Sequence, residues 1–392
     1  MSTLKVDAIR HNSATSDAIT TAADGTCTAK LTSVGGGGLS HRNKARNGAM
    51  KVSQRGTTFS PTTSDMYLID GWMTQHGSSG NLDCTVTQSN DAPAGFKKSL
   101  KITPDSTLTP SGSQNGMLAQ RLEGQDFQDL AFGTSDAKPV TVSWYAKTSA
   151  TGAGNYTVKV EYNNGSNNYA VNKLFAFTST WTRYTYTIPA TGTSTSVGIV
   201  DSNALGFRIE YHLFSGPDDV ASQFTQWTLN PTPTYKVISG QKNFMDNTNN
   251  ELYITGLQIE VGDTATTFEH LSYGEELTRC KRYALVFNSN QAIGTGSAYN
   301  STNININIYN QFRATPTYSN TAGGNGYTWV VYVGASGVAT ASPSVSVASD
   351  SNSDYCLRLY VQNCHNSLTA GQAVWALTHD GGGEQIVLSA EL

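Results

Sequence analysis

Residues 252–283, the stretch that decides the fold, read LYITGLQIEVGDTATTFEHLSYGEELTRCKRY. Apolar and polar residues alternate along 252–262, which predicts a β-strand with one buried and one solvated face. Ser272 precedes Glu275 by three residues, the spacing of a capping box, and this predicts the start of a helix. The stretch therefore predicts the end of one β domain, a connecting helix within 271–284, and the start of a second β domain.

This stretch resembles the junction in many tail-fibre proteins of marine, cyanophage-type bacteriophages. There, a G-x-Q-x-E-x-G-x-x-A-T-x-F-E strand ends a jelly roll like a carbohydrate-binding module, and a GEEL-x-x-C-x-R-Y helix follows. Residues 1–10, MSTLKVDAIR, resemble the head of such fibres, and 47–56, NGAMKVSQRG, resemble the entry to their first β domain. Residues 119–124, AQRLEG, match another segment of that module. The resemblance covers roughly residues 1–285 and implies a homotrimeric virion protein.

The predicted helix carries an apolar stripe formed by Tyr273, Leu277, Cys280 and Ala284. Such a stripe must pack against something. Two symmetry-related helices of a trimer and the adjoining β domains of the same chain are both suitable partners. The sequence leaves these two alternatives open.

The composition indicates a β-rich, folded chain of more than one domain. Its 392 residues exceed what a single hydrophobic core usually serves. Charged residues make up only 14% and aromatic residues 10%, whereas a disordered chain carries more charge and fewer aromatic groups. The formal net charge of −4 provides no basic surface for nucleic acid, so we set nucleic-acid binding aside.

The five cysteines are scattered and show no C-x-x-C spacing, and no two histidines have metal-ligand spacing. We therefore expect no disulfide framework, no metal site and no cofactor. No apolar run approaches the ~20 residues that cross a bilayer, and the first thirty residues do not read as a signal peptide. We expect synthesis in the host cytoplasm, no membrane insertion, and a final location in the virion.

Four segments are predicted along the chain. Residues 1–40 form an extended virion-docking segment that ends in a glycine linker, in which Leu4, Val6 and Ile9 carry the docking strand; a flexible leader is the alternative. Such a strand is expected to be ordered only against another chain. The other three segments are a jelly-roll domain at 41–270, the helix at 271–284, and a smaller C-terminal β-sandwich at 285–392.

Alternating patterns separated by turn residues predict antiparallel strands in both β domains, with no helical segments between them. The fold class is therefore mainly β, with two packed sandwiches. Candidate strands of the first domain are 50–54, 84–88, 99–103, 140–146, 156–162, 182–188 and 206–211. Those of the second domain are 283–287, 303–309, 329–333, 356–361 and 386–390.

No catalytic motif is present, and we expect that the protein is not an enzyme. Glu123, Asp126 and Asp129 form the closest acidic cluster, but such acids are usually solvated loop charges. Trp144 is expected in the core, and Tyr67 and Trp72 are expected to have structural roles. Sugar recognition is predicted in polar loops of the C-terminal domain, because such loops commonly carry binding residues. These ligand-binding candidates are Tyr299, Tyr318, Tyr327, His365 and His379.

The leading hypothesis is a homotrimeric tail fibre. Its N-terminus would dock to a tail adaptor protein, and its tip would bind a surface polysaccharide or lipopolysaccharide of a bacterial host. A head fibre or other decoration protein is one alternative, and an enzyme that degrades host polysaccharide is another.

Overall fold

The structure, a computed structural model, describes residues 6–10, 12–13, 18–23, 27–29, 40–62, 64–77, 82–191, 198–229, 237–322, 324, 326–334, 336–340, 343–347 and 356–392. Two separate hydrophobic clusters lie within these residues. One runs from Ala45 to Val261 and the other from Phe287 to Leu388. The predicted class, mainly β with a sandwich, a connecting helix and a second, smaller sandwich, is confirmed.

A small antiparallel sheet precedes the first sandwich. It consists of Ala8–Ile9 (β1), Ile19–Thr21 (β2) and Cys27–Ala29 (β3), in the order β1-β2-β3. The strand β1 pairs with β2 of its own chain, because the segment folds back on itself. Val6 and Ile9 are 41% and 54% exposed, and Leu4 lies outside the described residues. The docking role of these residues stays a prediction.

The first sandwich contains fifteen strands in the described part of the chain. They are Thr58–Phe59 (β4), Asp65–Tyr67 (β5), Met73–Gly77 (β6), Cys84–Ser89 (β7), Ser99–Pro104 (β8), Asn115–Glu123 (β9), Val140–Thr148 (β10), Gly154–Asn163 (β11), Asn168–Phe177 (β12), Thr182–Ile188 (β13), Leu205–Ser215 (β14), Val220–Ala221 (β15), Thr228–Leu229 (β16), Val237–Ile238 (β17) and Leu252–Val261 (β18). Short 3-10 turns occur at Gly124–Leu130, Pro217–Asp219 and Phe244–Asp246.

Two sheets face each other across this core. The six-stranded sheet has the order β13-β10-β18-β8-β7-β4, and the seven-stranded sheet has the order β16-β12-β11-β14-β9-β6-β5. Trp144 on β10 is fully buried and packs edge-on against Tyr211 on β14, with ring centroids 5.5 Å apart. Every second residue of a strand points into the space between the two sheets, and aromatic contacts of this kind fill that space.

One predicted strand is wrong: residues 50–54 form a turn and an irregular segment. Asn47 and Met50 both have positive φ values, 47° and 56°. The Asn47 side chain accepts a hydrogen bond from the backbone N–H of Val52 at 3.0 Å and donates one to the Val52 carbonyl at 2.7 Å. The backbone of Val52 therefore forms hydrogen bonds with the Asn47 side chain instead of with a neighbouring strand. Asparagine side chains commonly compete with a sheet in this way.

The connecting helix α1 spans Tyr273–Lys281 and begins with the predicted capping box. Cys280 and Ala284 of the predicted apolar stripe are buried, and so is Glu276, which accepts a hydrogen bond from the Asn47 N–H at 2.7 Å. Tyr273 remains 56% exposed. The buried N–H of Asn47 needs a hydrogen-bond acceptor, and the Glu276 carboxylate supplies it. The helix therefore packs against the first sandwich of its own chain.

The second sandwich follows immediately. Its strands are Ala284–Asn288 (β19), Ala292–Ala298 (β20), Ile304–Ile308 (β21), Thr317–Thr321 (β22), Trp329–Val333 (β23), Ser336–Thr340 (β24), Ser344–Val347 (β25), Leu357–Gln362 (β26), Ala373–Thr378 (β27) and Gln385–Ser389 (β28). The three-stranded sheet β19-β28-β22 covers the seven-stranded sheet β24-β23-β27-β20-β21-β26-β25. The predicted segment limits, 41–270 and 285–392, remain sequence-based.

Polar contacts join the two sandwiches at the end of the chain. The Glu391 carboxylate lies 3.3 Å from Arg55 and 3.6 Å from Arg46, and both arginines belong to the first sandwich. Arg313 donates to the Asn203 carbonyl at 2.5 Å and to the Ala390 carbonyl at 2.8 Å. Because hydrogen bonds to charged groups are short and directional, these contacts hold one sandwich against the other.

Candidate functional site

The site is built on the outer face of the seven-stranded sheet of the second sandwich. Alternate residues of these strands point into the core, as Ile304 and Ile306 do on β21, so their neighbours point outward. Strand pairing places five outward residues side by side in one row across five adjacent strands. In order they are Tyr332, Trp375, Thr295, Asn307 and Arg358.

A second row runs beside the first, two residues along each strand. It consists of Ala373, Ser297, Asn305, Tyr360 and Ser346. Together, the two rows define what we call the groove face. Most of the first-row and second-row residues line a shallow open groove of about 860 Å³.

Aromatic rings stand at one end of the groove face. Tyr332 and Trp375 stack with ring centroids 4.4 Å apart and an interplanar angle of 21°, and Trp375 is 39% exposed. Gly337 makes room for this stack, since a Cβ there would lie only 2.6 Å from the Tyr332 ring. The result is a flat aromatic platform on the outer face of the sheet.

A second pair of rings lies toward the other end. Tyr299 is 61% exposed and packs edge-on against Tyr360, with centroids 5.5 Å apart. The Tyr360 hydroxyl accepts a hydrogen bond from the Asn303 side chain at 2.8 Å, which fixes the ring. Both ends of the groove face therefore carry aromatic groups, and the centre carries short polar ones.

The groove floor depends on glycine. A Cβ at Gly296 on β20 would collide with the Asn305 carbonyl oxygen of the neighbouring strand. The glycine therefore allows β20 and β21 to approach closely, which brings the side chains of Ser297 and Asn305 together. Hydroxyl and amide groups of this kind both donate and accept hydrogen bonds.

These features suit a sugar chain. The apolar C–H face of a pyranose packs on aromatic rings, and its hydroxyls need Asn, Ser, Thr or Arg partners. Among the residues that the structure describes, those lining the groove include Arg358 and no carboxylate. A glycosidase needs a pair of carboxyl groups on either side of its substrate.

The sequence-based candidates occupy different places. Tyr299 borders the groove face, as described. Tyr318 lies on β22 rather than in a loop, and its hydroxyl accepts a hydrogen bond from the Trp329 indole N–H at 2.8 Å. Burial raises the pKa of Tyr318 to about 12. The ring is thus part of the packing between the two sheets.

The remaining candidates lie outside the two rows. Tyr327 and His379 contact each other with ring centroids 5.4 Å apart, and the His379 Nδ1 accepts a hydrogen bond from Gly381 N–H at 3.0 Å. His365 is half-buried, and its Nδ1 accepts from Ser367 N–H at 3.1 Å. A ligand-binding role for these residues stays a prediction.

Sequence reasoning missed Trp375, Tyr332, Thr295 and Asn307 as a group. The strands β20 and β27 were not predicted at all. In β20, Gly294 and Gly296 interrupt the alternation, and in β27 nearly every residue is apolar, so no period of two is visible. The alternating run at 303–309 was the one available signal, since it places Asn305 and Asn307 on the same face.

The outer side of the seven-stranded sheet in the first sandwich is covered by other parts of the chain. On the side of its seven-stranded sheet away from the core, Lys159, Glu161, Arg208 and Glu210 form a buried ionic network, in which Arg208 lies 2.7 Å from Glu210. Burial alone would raise the pKa of Glu210, but Arg208 and Lys159 hold it well below its usual range.

Chain segments cover this network. The Phe224 N–H donates to the Asn172 side chain at 2.6 Å, and the Gln241 side chain donates to the His212 carbonyl at 3.0 Å. These bonds attach the chain after β15 to the outer side of β12 and β14. The sheet surface beneath them is therefore occupied by protein.

A smaller cleft of about 340 Å³ lies beside α1 and is rich in cations. Lys44 pairs with Asp129 at 2.9 Å, Arg279 donates to the Asn43 carbonyl at 3.3 Å, and Arg282 pairs with Glu123. Glu123 is fully buried by these contacts, so the acidic cluster noted in the sequence has a structural role here. Because the cations of the cleft have protein partners, we favour the groove face as the site.

No helix in the described ranges is both long and apolar enough to cross a membrane. Nowhere in that part of the chain do three or more His, Cys, Asp or Glu side chains lie together as metal ligands would.

Comparison with known proteins gives only distant similarities. No protein-family description and no curated protein matches the chain. The enzymatically active domain of tailspike protein 4 from bacteriophage CBA120 is 11% identical, with a TM-score of 0.31, over 59% of this chain and 23% of that one. A candidate sugar-binding protein from Bacteroides thetaiotaomicron is 10% identical, with a TM-score of 0.31, over 56% of this chain and 100% of that one.

A xylan-binding domain from Paenibacillus barcinonensis is 14% identical, with a TM-score of 0.26, over 53% of this chain and 94% of that one. The structural neighbours thus include a phage tailspike domain and carbohydrate-binding modules. Similarity at this level does not establish a shared function.

Proposed function

We propose that this protein is a homotrimeric bacteriophage tail fibre that attaches the virion to a glycan on the surface of a bacterial host. The groove face is the attachment site. The single observation that supports this proposal is the cross-strand row from Tyr332 to Arg358, which combines an aromatic platform with hydroxyl, amide and guanidinium groups on one open surface. The tail-fibre role rests on the sequence resemblance at the N-terminus and around 252–283.

The proposal includes the partners of the fibre. The N-terminal segment docks to a tail adaptor protein, and the C-terminal sandwich points away from the virion. Sugar contacts are individually weak, but three linked sites raise the overall affinity by roughly 10² to 10⁴ over a single site. A trimer is therefore well suited to retain a phage on its host. The proposed activity is binding without hydrolysis.

The test compares binding of full-length protein and variants to purified host envelope polysaccharide. Trp375→Ala removes the exposed half of the platform and should weaken binding per site by about 30-fold, the effect of losing about 2 kcal/mol at a central aromatic contact. Tyr273→Ala removes an exposed ring on α1, far from the groove face, and should bind like the wild type. Both variants should unfold at the wild-type urea concentration.

Two results would overturn the proposal. One is equal binding by the Trp375 and Tyr273 variants. The other is steady release of shorter sugar chains from the polysaccharide, which would assign the protein to the degrading enzymes instead.

A further inference from the structure

We infer that the groove face takes a linear oligosaccharide of at least four pyranose units, with one end sugar on each aromatic pair. This inference rests on the proposed function and adds the length and direction of the ligand. The observation that carries it is the presence of two aromatic pairs, Tyr332–Trp375 and Tyr299–Tyr360, at opposite ends of the same face.

The strand order sets the distance between the pairs. Trp375 lies on β27 and Tyr360 on β26, with β20 and β21 between them. Three inter-strand spacings of about 4.8 Å separate the two rings by roughly 14 Å across the strands. Tyr360 belongs to the second row, two residues of about 3.4 Å further along the strands, so the line that joins Trp375 and Tyr360 runs obliquely across the sheet and is roughly 16 Å long.

This distance sets the number of sugars. A pyranose unit in an extended chain is about as long as one inter-strand spacing, ~4.8 Å. A sugar centred on the first pair and a sugar centred on the second therefore leave room for two more between them. A disaccharide can reach one pair only, whereas a tetrasaccharide reaches both.

The centre of the groove suits these inner sugars. Thr295, Ser297, Asn305 and Asn307 project short polar side chains from β20 and β21. They are shorter than the rings at either end, so a chain stacked at its ends passes over them within reach of their hydroxyl and amide groups. Stacking on the two aromatic pairs would position the end sugars of the oligosaccharide. Hydrogen bonds from the polar side chains of β20 and β21 would select middle sugars whose hydroxyl groups match them.

The test uses a length series. Host envelope polysaccharide is cut by partial acid hydrolysis, and fractions of two to six sugars are titrated calorimetrically into the full-length protein. We expect affinity to rise by about tenfold between the disaccharide and the tetrasaccharide, because a second stacking contact is added. We expect little further gain beyond four sugars.

Variants locate the effect. Tyr299→Ala and Tyr360→Ala should abolish the gain in affinity between two and four sugars. Trp375→Ala should weaken every fraction, and Tyr273→Ala should weaken none. Tyr299→Ala removes an exposed ring, so it tests the second pair even where Tyr360→Ala does not fold.

Two outcomes would overturn the inference: a disaccharide that binds as tightly as the tetrasaccharide, or a length dependence that Tyr299→Ala leaves intact. Failure of the proposed function looks different, since then neither the fractions nor the intact polysaccharide would bind.

Discussion

Arg282 donates two hydrogen bonds to Glu123, from Nε to Oε1 and from Nη2 to Oε2, both at 2.9 Å. Glu123 ends β9 in the first sandwich, and Arg282 follows α1 at the entrance to the second sandwich. The Tyr283 hydroxyl donates to the same carboxylate. These hydrogen bonds to a fully buried carboxylate join the two sandwiches. They help to hold the second sandwich, which carries the groove face, against the first.

The first prediction concerns this pair. Arg282→Ala leaves the buried Glu123 carboxylate without its cation, and the free energy of unfolding should fall by about 3 kcal/mol. Lys281→Ala removes the neighbouring positive charge and is the matched control. It should change the free energy of unfolding by less than about 0.5 kcal/mol. Urea unfolding followed by tryptophan fluorescence measures both. Equal losses in the two variants would contradict a specific role for the pair.

The second prediction concerns acid stability. The folded-state pKa of Glu210 lies below its unfolded value, because Arg208 and Lys159 outweigh the effect of burial, and that of Glu161 is lowered by the same two cations. The unfolded chain therefore takes up protons first as the pH falls. The stability that these acids contribute is complete above about pH 5 and is lost progressively below about pH 4.5.

Glu210→Gln tests this dependence, since glutamine cannot titrate. The variant should be less stable than the wild type at pH 7, and its urea midpoint should fall less steeply between pH 5 and pH 3. If the urea midpoint of Glu210→Gln falls between pH 5 and pH 3 as steeply as that of the wild type, Glu210 does not contribute to acid unfolding.

The third prediction links the groove to its glycine. In Gly296→Ala, the new methyl group meets the Asn305 carbonyl on the next strand, and backbone atoms there must shift. We expect a loss of about 1–3 kcal/mol in stability, as for other overpacked sites, together with weaker glycan binding. Gly274→Ala is the control, because a Cβ there meets nothing within 4 Å on an α-helix. The control should be neutral or slightly stabilising in the same urea assay.

The fourth prediction concerns virion docking. Protein that lacks residues 1–40 should still form a folded trimer, since both hydrophobic clusters begin beyond this segment. It should no longer be incorporated into particles when it replaces the full-length chain during infection. Sedimentation measures the assembly state, and quantitative labelling of purified virions measures the copy number. Normal copy number on particles would contradict the docking role.

Local patterns in the sequence determined much of the fold. Strand β13 has the predicted bounds, Thr182–Ile188, because apolar and polar residues alternate from Arg183 to Ile188. The capping box at Ser272 and Glu275 forms as predicted, with the Ser272 N–H donating to Glu275 at 2.9 Å. Both features depend only on residues that are close in sequence, so no knowledge of the tertiary structure is needed to predict them.

Only the tertiary structure decided which residues share the groove face. Trp375 lies beside Thr295 because β27 pairs with β20 across about eighty residues of sequence, and the register of that pairing is set by the core beneath it. Burial of Glu276 on the helix also depends on a distant segment. The backbone N–H of Asn47, 229 residues earlier in the chain, donates a hydrogen bond to its carboxylate. Alternation shows that a residue faces outward, but the strand that will lie next to it is decided by contacts between distant segments.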